Sequence, residues 1–527
     1  MDTHPQPAIP SLCPARTSAV VWLVAFLAAL IVYVSTADRG AQWQDSGWQQ
    51  YRIATGSLDH PRGLVLVHPL QFWLGRAAVR TLWVEPAFAT TLLSSLAAAI
   101  AVANLASTVF LLARSRSATL VAALAFMLSH TFWQHATHTE SYTLTAALLT
   151  GEWLCLAAFS LGGNRNLLLL LALLNGLGIA NHMLASIATP VDIIVILSAV
   201  RARRLSLPGA ITAALLWVIG TSPYSTLVLG QIIETRDVLG TIGSALFGEF
   251  RGEVLNTRLG LRPLALALGY LVYNFPGLTI PLAILAMTRR DTRPLLFVRV
   301  LKWELLLYSV FVFRYAVVDQ YTFFFPMYAI LALFAGLGLA GLLERRLDGT
   351  GPSIAYRPPR GRLLLVAASV TAAWTPLVYL AAAHLSSSAG IFSNQVARKP
   401  YRNGYHALFL PWGIGQNYAE RLNAQAFALA GDDGLILTTD SMVAIGLQYA
   451  EAVNNDHAGA ILLPIEGSAA PDVVDRRRRL LRAYLSSGRP VVLVPRDRDK
   501  PVTCVPEARW RRDGDLYTLT ELAPSSP

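Results

Sequence analysis

The sequence predicts a mainly α-helical, polytopic membrane protein with about eleven transmembrane helices, followed by a small C-terminal α/β soluble domain. Composition, long apolar runs and the placement of arginine predict it. Of the 527 residues, 54% are hydrophobic and 14% charged, with a mean hydropathy of +0.46. Soluble domains carry roughly 25% charged residues. Water cannot be the main solvent of such a chain, so the bilayer organises most of the fold.

Apolar runs fall at 18–36, 86–113, 117–131, 140–160, 166–183, 185–200, 208–230, 263–288, 296–317, 321–343 and 363–383. A helix needs about 20 apolar residues to cross the hydrocarbon core, and the third run is short for that. Residues 18–36 are too long for the apolar part of a cleavable signal and lack a small-residue cleavage site, so they read as the first helix. Residues 64–83 are apolar but interrupted by His68, Pro69, Arg76 and Arg80. That pattern suits a helix lying in the interface better than a span.

Arginine assigns the sides. Arg16, Arg114 and Arg116, Arg165, the trio Arg201, Arg203 and Arg204, then Arg289, Arg290 and Arg293, and finally Arg345, Arg346, Arg357, Arg360 and Arg362 fall in alternate loops. By the positive-inside rule those loops are cytoplasmic. The expected organisation is a cytoplasmic N-terminus (1–17), a transmembrane region (18–383) whose first outer loop is 37–85, and an extracytoplasmic domain (384–527), all in the inner (plasma) membrane. The formal charge of +11 is thus a topology signal, and the expected partner is the lipid bilayer, with no nucleic acid.

From about residue 385 the texture turns to mixed polar and apolar with Gly, Asp and Pro punctuation. GDDGLILTTD, a helical stretch at 441–452, AILLPIEG, a helix over 471–487 and RPVVLVP alternate short strands with helices. The run Arg476 to Arg479 reads as a solvated helix face. Cys13, Cys155 and Cys504 lie far apart and match neither a disulfide framework nor a zinc pattern.

The densest polar cluster before the tail is WQDSGWQQYRIATGSLDHPRG, directly after the first helix. Asp45 precedes Ser46 and Gly47, a combination that serves either as a helix N-cap or as a reactive carboxylate. Topology places further unusual residues on the same side: His135, His138 and Glu140, then Asn181 and His182, then Arg314, Asp319 and Gln320. Ionisable groups at a bilayer are costly and by default mark a functional cavity. Each has a plainer reading: Arg314 snorkels to head groups, His182 caps its own helix, Glu140 favours a helix start. Their convergence on one face favours a site. His135 and His138 are spaced like a helical ligand pair, but no second helix offers the complementary Glu-x-x-His pattern. A divalent metal is possible but not favoured, and the sequence assigns no cofactor with certainty.

At these residues the sequence resembles the protein O-mannosyltransferase-like family of the type C (GT-C) glycosyltransferase superfamily. The resemblance rests on Asp45-Ser46-Gly47, on His60-Pro61-Arg62-Gly63, on Phe132-Trp133 followed by Glu140-Ser141-Tyr142, and on Gly178 with Asn181-His182. It covers roughly residues 18 to 345. Trp48 stands where an acidic residue is expected after Asp-Ser-Gly, and Arg62 replaces the second proline of His-Pro-Pro-Gly. The resemblance implies a GT-C fold and inverting transfer of a hexosyl or pentosyl unit from a polyprenyl-phosphate donor to a protein or glycan hydroxyl outside the cytoplasm.

In that chemistry the phosphate leaves without much acid help, so one carboxylate suffices as general base. Asp45 is the expected catalytic base. Arg62 and Arg314 are the expected cations for the departing phosphate, and Glu140 would orient the acceptor or bind sugar hydroxyls. His60, Asn181 and His182 complete the expected substrate pocket, with Trp48, beside Trp43 and Tyr51, stacking on a sugar. The competing class is a transporter or flippase of a lipid-linked substrate without chemistry. That class favours internal repeats and helices broken at the midplane, which the sequence does not display.

Overall fold

The structure is a computed structural model that describes residues 13–289, 294–344, 359–393, 396, 398–454, 459–465, 471–499 and 507–523. Arg290, Arg293, Arg345, Arg346, Arg357 and Cys504 lie outside the described residues.

Each apolar run is helical. Helix α1 (Cys13–Ser35) leads into the outer-loop helices α2 (Gln44–Thr55) and α3 (Pro69–Thr81). Helix α4 (Pro86–Ala113) starts at a proline, and the preceding Glu85 carboxylate accepts the Phe88 amide at 2.9 Å. Both features match what a helix N-terminus needs. One run divides into α5 (Arg116–Met127) and α6 (His130–Ala136), and α7 (Tyr142–Gly162), α8 (Asn166–Asn181), α9 (Thr189–Arg201) and α10 (Leu207–Thr235) follow. Short helices α11 (Val238–Leu246) and α12 (Arg251–Val254) precede a pair bent by 103°, α13 (Leu261–Asn274) and α14 (Thr279–Thr288). Then come α15 (Leu295–Val312), α16 (Phe325–Glu344) and a second pair bent by 46°, α17 (Pro359–Ala373) and α18 (Thr375–Ser388).

Among the described residues five helices are long and apolar enough to cross a membrane, or up to seven if each bent pair is one span. The chain is therefore a multi-pass membrane protein. Helix length and composition alone support five to seven of the predicted crossings; α5, with 12 residues, reaches only about 18 Å at 1.5 Å per residue, against a core of about 30 Å.

The spans differ in what surrounds them. The apolar window of the segment 320–343, which contains α16, is 100% buried and that of α4 is 78% buried, whereas the windows of α1 and α10 are 11% and 22% buried. Alanine and serine in α4 let neighbouring helices approach closely. The exposed leucines, isoleucines and valines of α1 and α10 fit contact with lipid tails. Helix α3 exposes Trp73, and Trp83 just beyond it is exposed too; with 13 residues it is too short to cross the hydrocarbon core.

Beyond α18, helices α19 (Gly404–Phe409) and α20 (Tyr418–Ala430) precede the expected alternation: β1 (Leu435–Thr438), α21 (Ser441–Asn454), β2 (Ile461–Pro464), α22 (Pro471–Ser486) and β3 (Val491–Val494). An unpredicted antiparallel pair, β4 (Ala508–Asp513) and β5 (Leu516–Leu522), completes a sheet of order β2-β1-β3-β5-β4. Strand β1 pairs with β2 and β3 in parallel. The unbroken apolar β1 and β3 are buried along their whole length, as central parallel strands require.

This region packs on the first outer loop. Ala41, Trp43 and Ala87 share a core with Leu422, Phe427 and Leu447, and the Trp43 and Tyr418 rings lie 4.6 Å apart. A Cβ on Gly47 would stand 2.3 Å from the Gln42 carbonyl oxygen and 3.0 Å from Ile445 on α21. The glycine of Asp-Ser-Gly is thus what lets α2 approach α21.

Candidate functional site

Asp45 stands in the first turn of α2. The residue before it, Gln44, has φ of 61°, a left-handed conformation rare for non-glycine residues and common around functional sites. The N-cap position belongs to Trp43, with no side-chain cap bond, and the Asp45 carboxylate makes no hydrogen bond among the described residues. Capping therefore does not account for Asp45. Asp45 keeps an exposed surface, while desolvation of its carboxyl by the surrounding side chains raises its pKa above the ordinary carboxylate range, opposed by the Arg62 charge.

The next residue turns inward. Ser46 Oγ donates to Glu140 Oε1 at 2.7 Å, and the Glu140 amide donates to Ser94 Oγ at 3.0 Å. Burial first, then the Asp45 charge, push the Glu140 carboxyl up to about 8 against the Ser46 hydrogen bond, and Asp319 adds to the rise. Asp319 is itself raised by burial and by Asp45. Three carboxyl groups from α2, the α6–α7 turn and the segment after α15 thus repel one another at one place, with Arg62 as the cation facing Asp45.

Arg62 is positioned by buried neighbours. The Arg52 guanidinium donates to the carbonyls of Leu58 at 2.7 Å, Val67 at 3.1 Å and Leu66 at 3.3 Å, holding the loop closed. Within it, His60 Nδ1 accepts the Arg62 amide at 3.2 Å. Burial and then Arg52 lower His60 to about 3, so the ring is neutral near pH 7. The His60 ring also lies 5.8 Å from that of Trp48. Gly63, at φ of 108°, closes the element where a Cβ would sit 3.0 Å from Gly248 Cα.

The remaining predicted residues divide. His68 Nδ1 donates to the Asn181 carbonyl at 2.8 Å and its ring stacks on His182 at 4.9 Å. His182 Nδ1 accepts the Leu184 amide at 3.0 Å, so it caps the short 3-10 turn that follows (Met183–Ile187) and not its own helix α8. Asn181 Nδ2 donates to the Ser141 carbonyl at 2.7 Å and to Thr145 Oγ1 at 2.8 Å. Asn181 therefore ties the ends of α8 and α7, while its Oδ1 is buried without a partner. Arg314 donates to the carbonyls of Val310 at 2.8 Å and Asn256 at 2.5 Å, and is engaged there rather than at the carboxyl cluster. His135 lies 4.7 Å from the Tyr142 ring, and His138 Nε2 is 4.0 Å from Asp38 Oδ2. Among the described residues no group of three or more His, Cys, Asp or Glu is arranged to hold a metal ion.

Sequence reasoning did not assign Asp319 a role, nor Arg52, whose buried head orders the loop. It also passed over Glu152, Asp192 and Glu304, buried on α7, α9 and α15. Trp153 Nε1 donates to Glu304 Oε2 at 2.7 Å, and Asn175 Nδ2 to Glu152 Oε2 at 3.4 Å. The available signal was an acidic residue inside each apolar run, alone only in the case of Asp192.

A cavity of about 680 Å³ adjoins the site, lined by Asp59, His60 and Gly63 on the loop, Gln231 and Glu234 on α10, and Ser244 on α11. An exposed carboxylate, an always-charged guanidinium and a cavity at one face can deprotonate a hydroxyl and hold an anion.

The fold has similar counterparts among solved structures. It is similar to the crystal structure of ArnT from Cupriavidus metallidurans bound to undecaprenyl phosphate, with a TM-score of 0.54 and 14% identity over 96% of this chain and 99% of that one. The same enzyme in the apo state matches at 0.54, with 15% identity over 95% and 98%. The oligosaccharyltransferase AglB from Archaeoglobus fulgidus, in complex with an inhibitory peptide and a dolichol-phosphate, matches at 0.49, with 12% identity over 92% of this chain and 70% of that one. Residues 53–206 match the family described as "Protein O-mannosyl-transferase TMEM260 N-terminal domain". The matched segment contains His60 to Gly63, Glu140 and His182, whereas Asp45-Ser46-Gly47 precedes it. No curated protein matches the sequence.

Proposed function

We propose that this protein is a glycosyltransferase that moves a hexosyl or pentosyl unit, with inversion, from a polyprenyl-phosphate donor to a protein or glycan hydroxyl on the non-cytoplasmic face. The observation that carries the reading is Asp45: an exposed residue whose carboxylate has no structural bond to make, facing Arg62 beside a cavity. In the transfer step the acceptor oxygen bonds to the anomeric carbon as the carbon–oxygen bond to phosphate breaks. The acceptor proton passes to Asp45, and the leaving phosphate keeps the bonding pair, its charge opposed by Arg62. The cavity against α10 and α11 takes the donor head group, His60 and Trp48 border the sugar, and Glu140 orients the acceptor through the position it shares with Ser46. The ArnT structure that shares this fold contains undecaprenyl phosphate, which supports a lipid-phosphate donor. The decisive assay supplies the protein, in proteoliposomes, with a polyprenyl-phosphate hexose and a hydroxyl-bearing peptide or glycan. Released polyprenyl phosphate and glycosylated acceptor are expected; intact donor across hexose and pentose donors would sink the proposal.

The same reading places residues 1–17 in the cytoplasm, 18–383 in the inner membrane and 384–527 outside, because arginine collects in alternate loops. A phosphatase fused after residue 400 is expected to be active. A silent phosphatase with an active cytoplasmic reporter at that position overturns the orientation.

One observation favours transport instead. Glu152 and Glu304 stand near the middle of their helices beside Asp192, and carboxyl groups at membrane depth often mark ion pathways. Acceptor-independent movement of labelled polyprenyl phosphate across proteoliposomes would identify that function.

A further inference from the structure

Where α18 ends against the C-terminal region, a second cavity of about 760 Å³ opens, lined by Ser387, Tyr401 and the four arginines Arg398, Arg402, Arg421 and Arg498. Its only carboxylate among the lining residues, Asp515, already accepts the Tyr401 amide at 2.7 Å and lies 3.5 Å from Arg512. Arg398 pairs with Asp499 at 3.0 Å. Arg402, Arg421 and Arg498 make no ion pair among the described residues. Two of them are held by aromatic faces: Arg402 lies 5.4 Å from the Tyr418 ring centre and Arg421 5.0 Å from that of Tyr401. Stacking fixes a guanidinium plane and leaves its charge and its N–H donors available.

A solvated cationic face is the plainer account of clustered arginines. Here the charges line a concave wall, two are fixed on rings, and the nearby acids are already engaged. The Arg402 charge also reaches His138, where it joins burial in holding the ring down at about 4. Like charges held together without counter-charge favour an anion, and converging guanidiniums match the several oxygens of a phosphate. The end of a span puts them at head-group level, where anionic lipids present phosphate.

We propose that this cavity binds a phosphate group, carried either by a bilayer phospholipid or by a soluble phosphate compound. The proposal does not depend on sugar transfer, and its test reads binding alone. Full-length protein in detergent is titrated with phosphatidylglycerol, phosphatidylcholine and inorganic pyrophosphate, with occupancy read by native mass spectrometry. Arg421→Gln/Arg498→Gln removes two free guanidiniums, Arg421→Lys/Arg498→Lys keeps their charge, and Arg509→Gln/Arg511→Gln makes the same charge change on β4. Loss of a charge-assisted hydrogen bond weakens binding by about tenfold or more.

The wild type and the β4 variant are expected to bind phosphatidylglycerol over phosphatidylcholine, the glutamine variant at 421 and 498 to lose that preference, and the lysine variant to keep part of it. Pyrophosphate binding with the same variant dependence but no lipid preference would support the proposal with a soluble phosphate compound as the source. Equal binding of both anions by the wild type and by Arg421→Gln/Arg498→Gln, with matching thermal unfolding, overturns it. An equal loss in the β4 variant overturns it too, because net charge would then suffice.

Discussion

Asp45→Asn is expected to lower turnover of a polyprenyl-phosphate sugar by about 100- to 10,000-fold, the range a positioned general base contributes, while donor binding persists. The substitution keeps the size of the side chain and removes its basicity. Because Asp45 makes no cap bond at the start of α2, it has little structural role to lose, and thermal unfolding should stay near the wild-type midpoint. The measurement is single-turnover transfer by purified protein, with donor binding followed in parallel. Turnover within a few-fold of wild type would remove Asp45 as the base and make Glu140 the next candidate.

Glu140 controls the second large effect. Its carboxyl is pushed up to about 8, by burial first and by Asp45 next, so at pH 7 most molecules carry it neutral. Raising pH through that value adds a negative charge beside Asp45 and Asp319, where an anionic donor must bind. Donor affinity is therefore expected to fall by about tenfold between pH 7 and 9, since one adverse charge costs on the order of 1.4 kcal/mol at an effective dielectric typical of proteins. Glu140→Gln, neutral at every pH, should bind donor as the wild type does at pH 7 and keep that affinity at pH 9. The sign for stability is the same: a carboxyl raised on folding retains a proton that the unfolded chain releases, so stability falls as pH rises from about 4.5 toward 8. A wild type and a Glu140→Gln variant with identical donor-binding profiles from pH 6 to 9 would refute this account.

The sidedness inferred from arginine explains why residues far apart in the chain could be grouped from the loops that carry them. Asp38 N donates to the Thr137 carbonyl at 2.9 Å, Gly413 N to that of Thr36 at 2.9 Å, and Ser46 meets Glu140. The ends of α1 and α6 and the segment after α19 therefore lie together. Arg314 shows the limit of that reasoning. It belongs to the right segment, but its head group bonds to carbonyls of its own turn and of Asn256, which sidedness cannot reveal.

The apolar runs, the failure of residues 64–83 to form a spanning helix and the β-α-β-α-β order of the tail were determined by the sequence alone, because hydrophobic length and alternation are local and the solvent sorts them. The strands β4 and β5 were not, since ARWRRD is short, highly charged and stabilised by pairing with LYTLTEL, itself joined to β3. Only the tertiary structure decided that Asp319 joins Asp45 and Glu140, that Arg52 closes the loop bearing Arg62, and that Gly47 is small because α21 passes over it. Those facts depend on distances between helices packed through side chains far apart in sequence, and nothing in a local pattern encodes where two such helices cross.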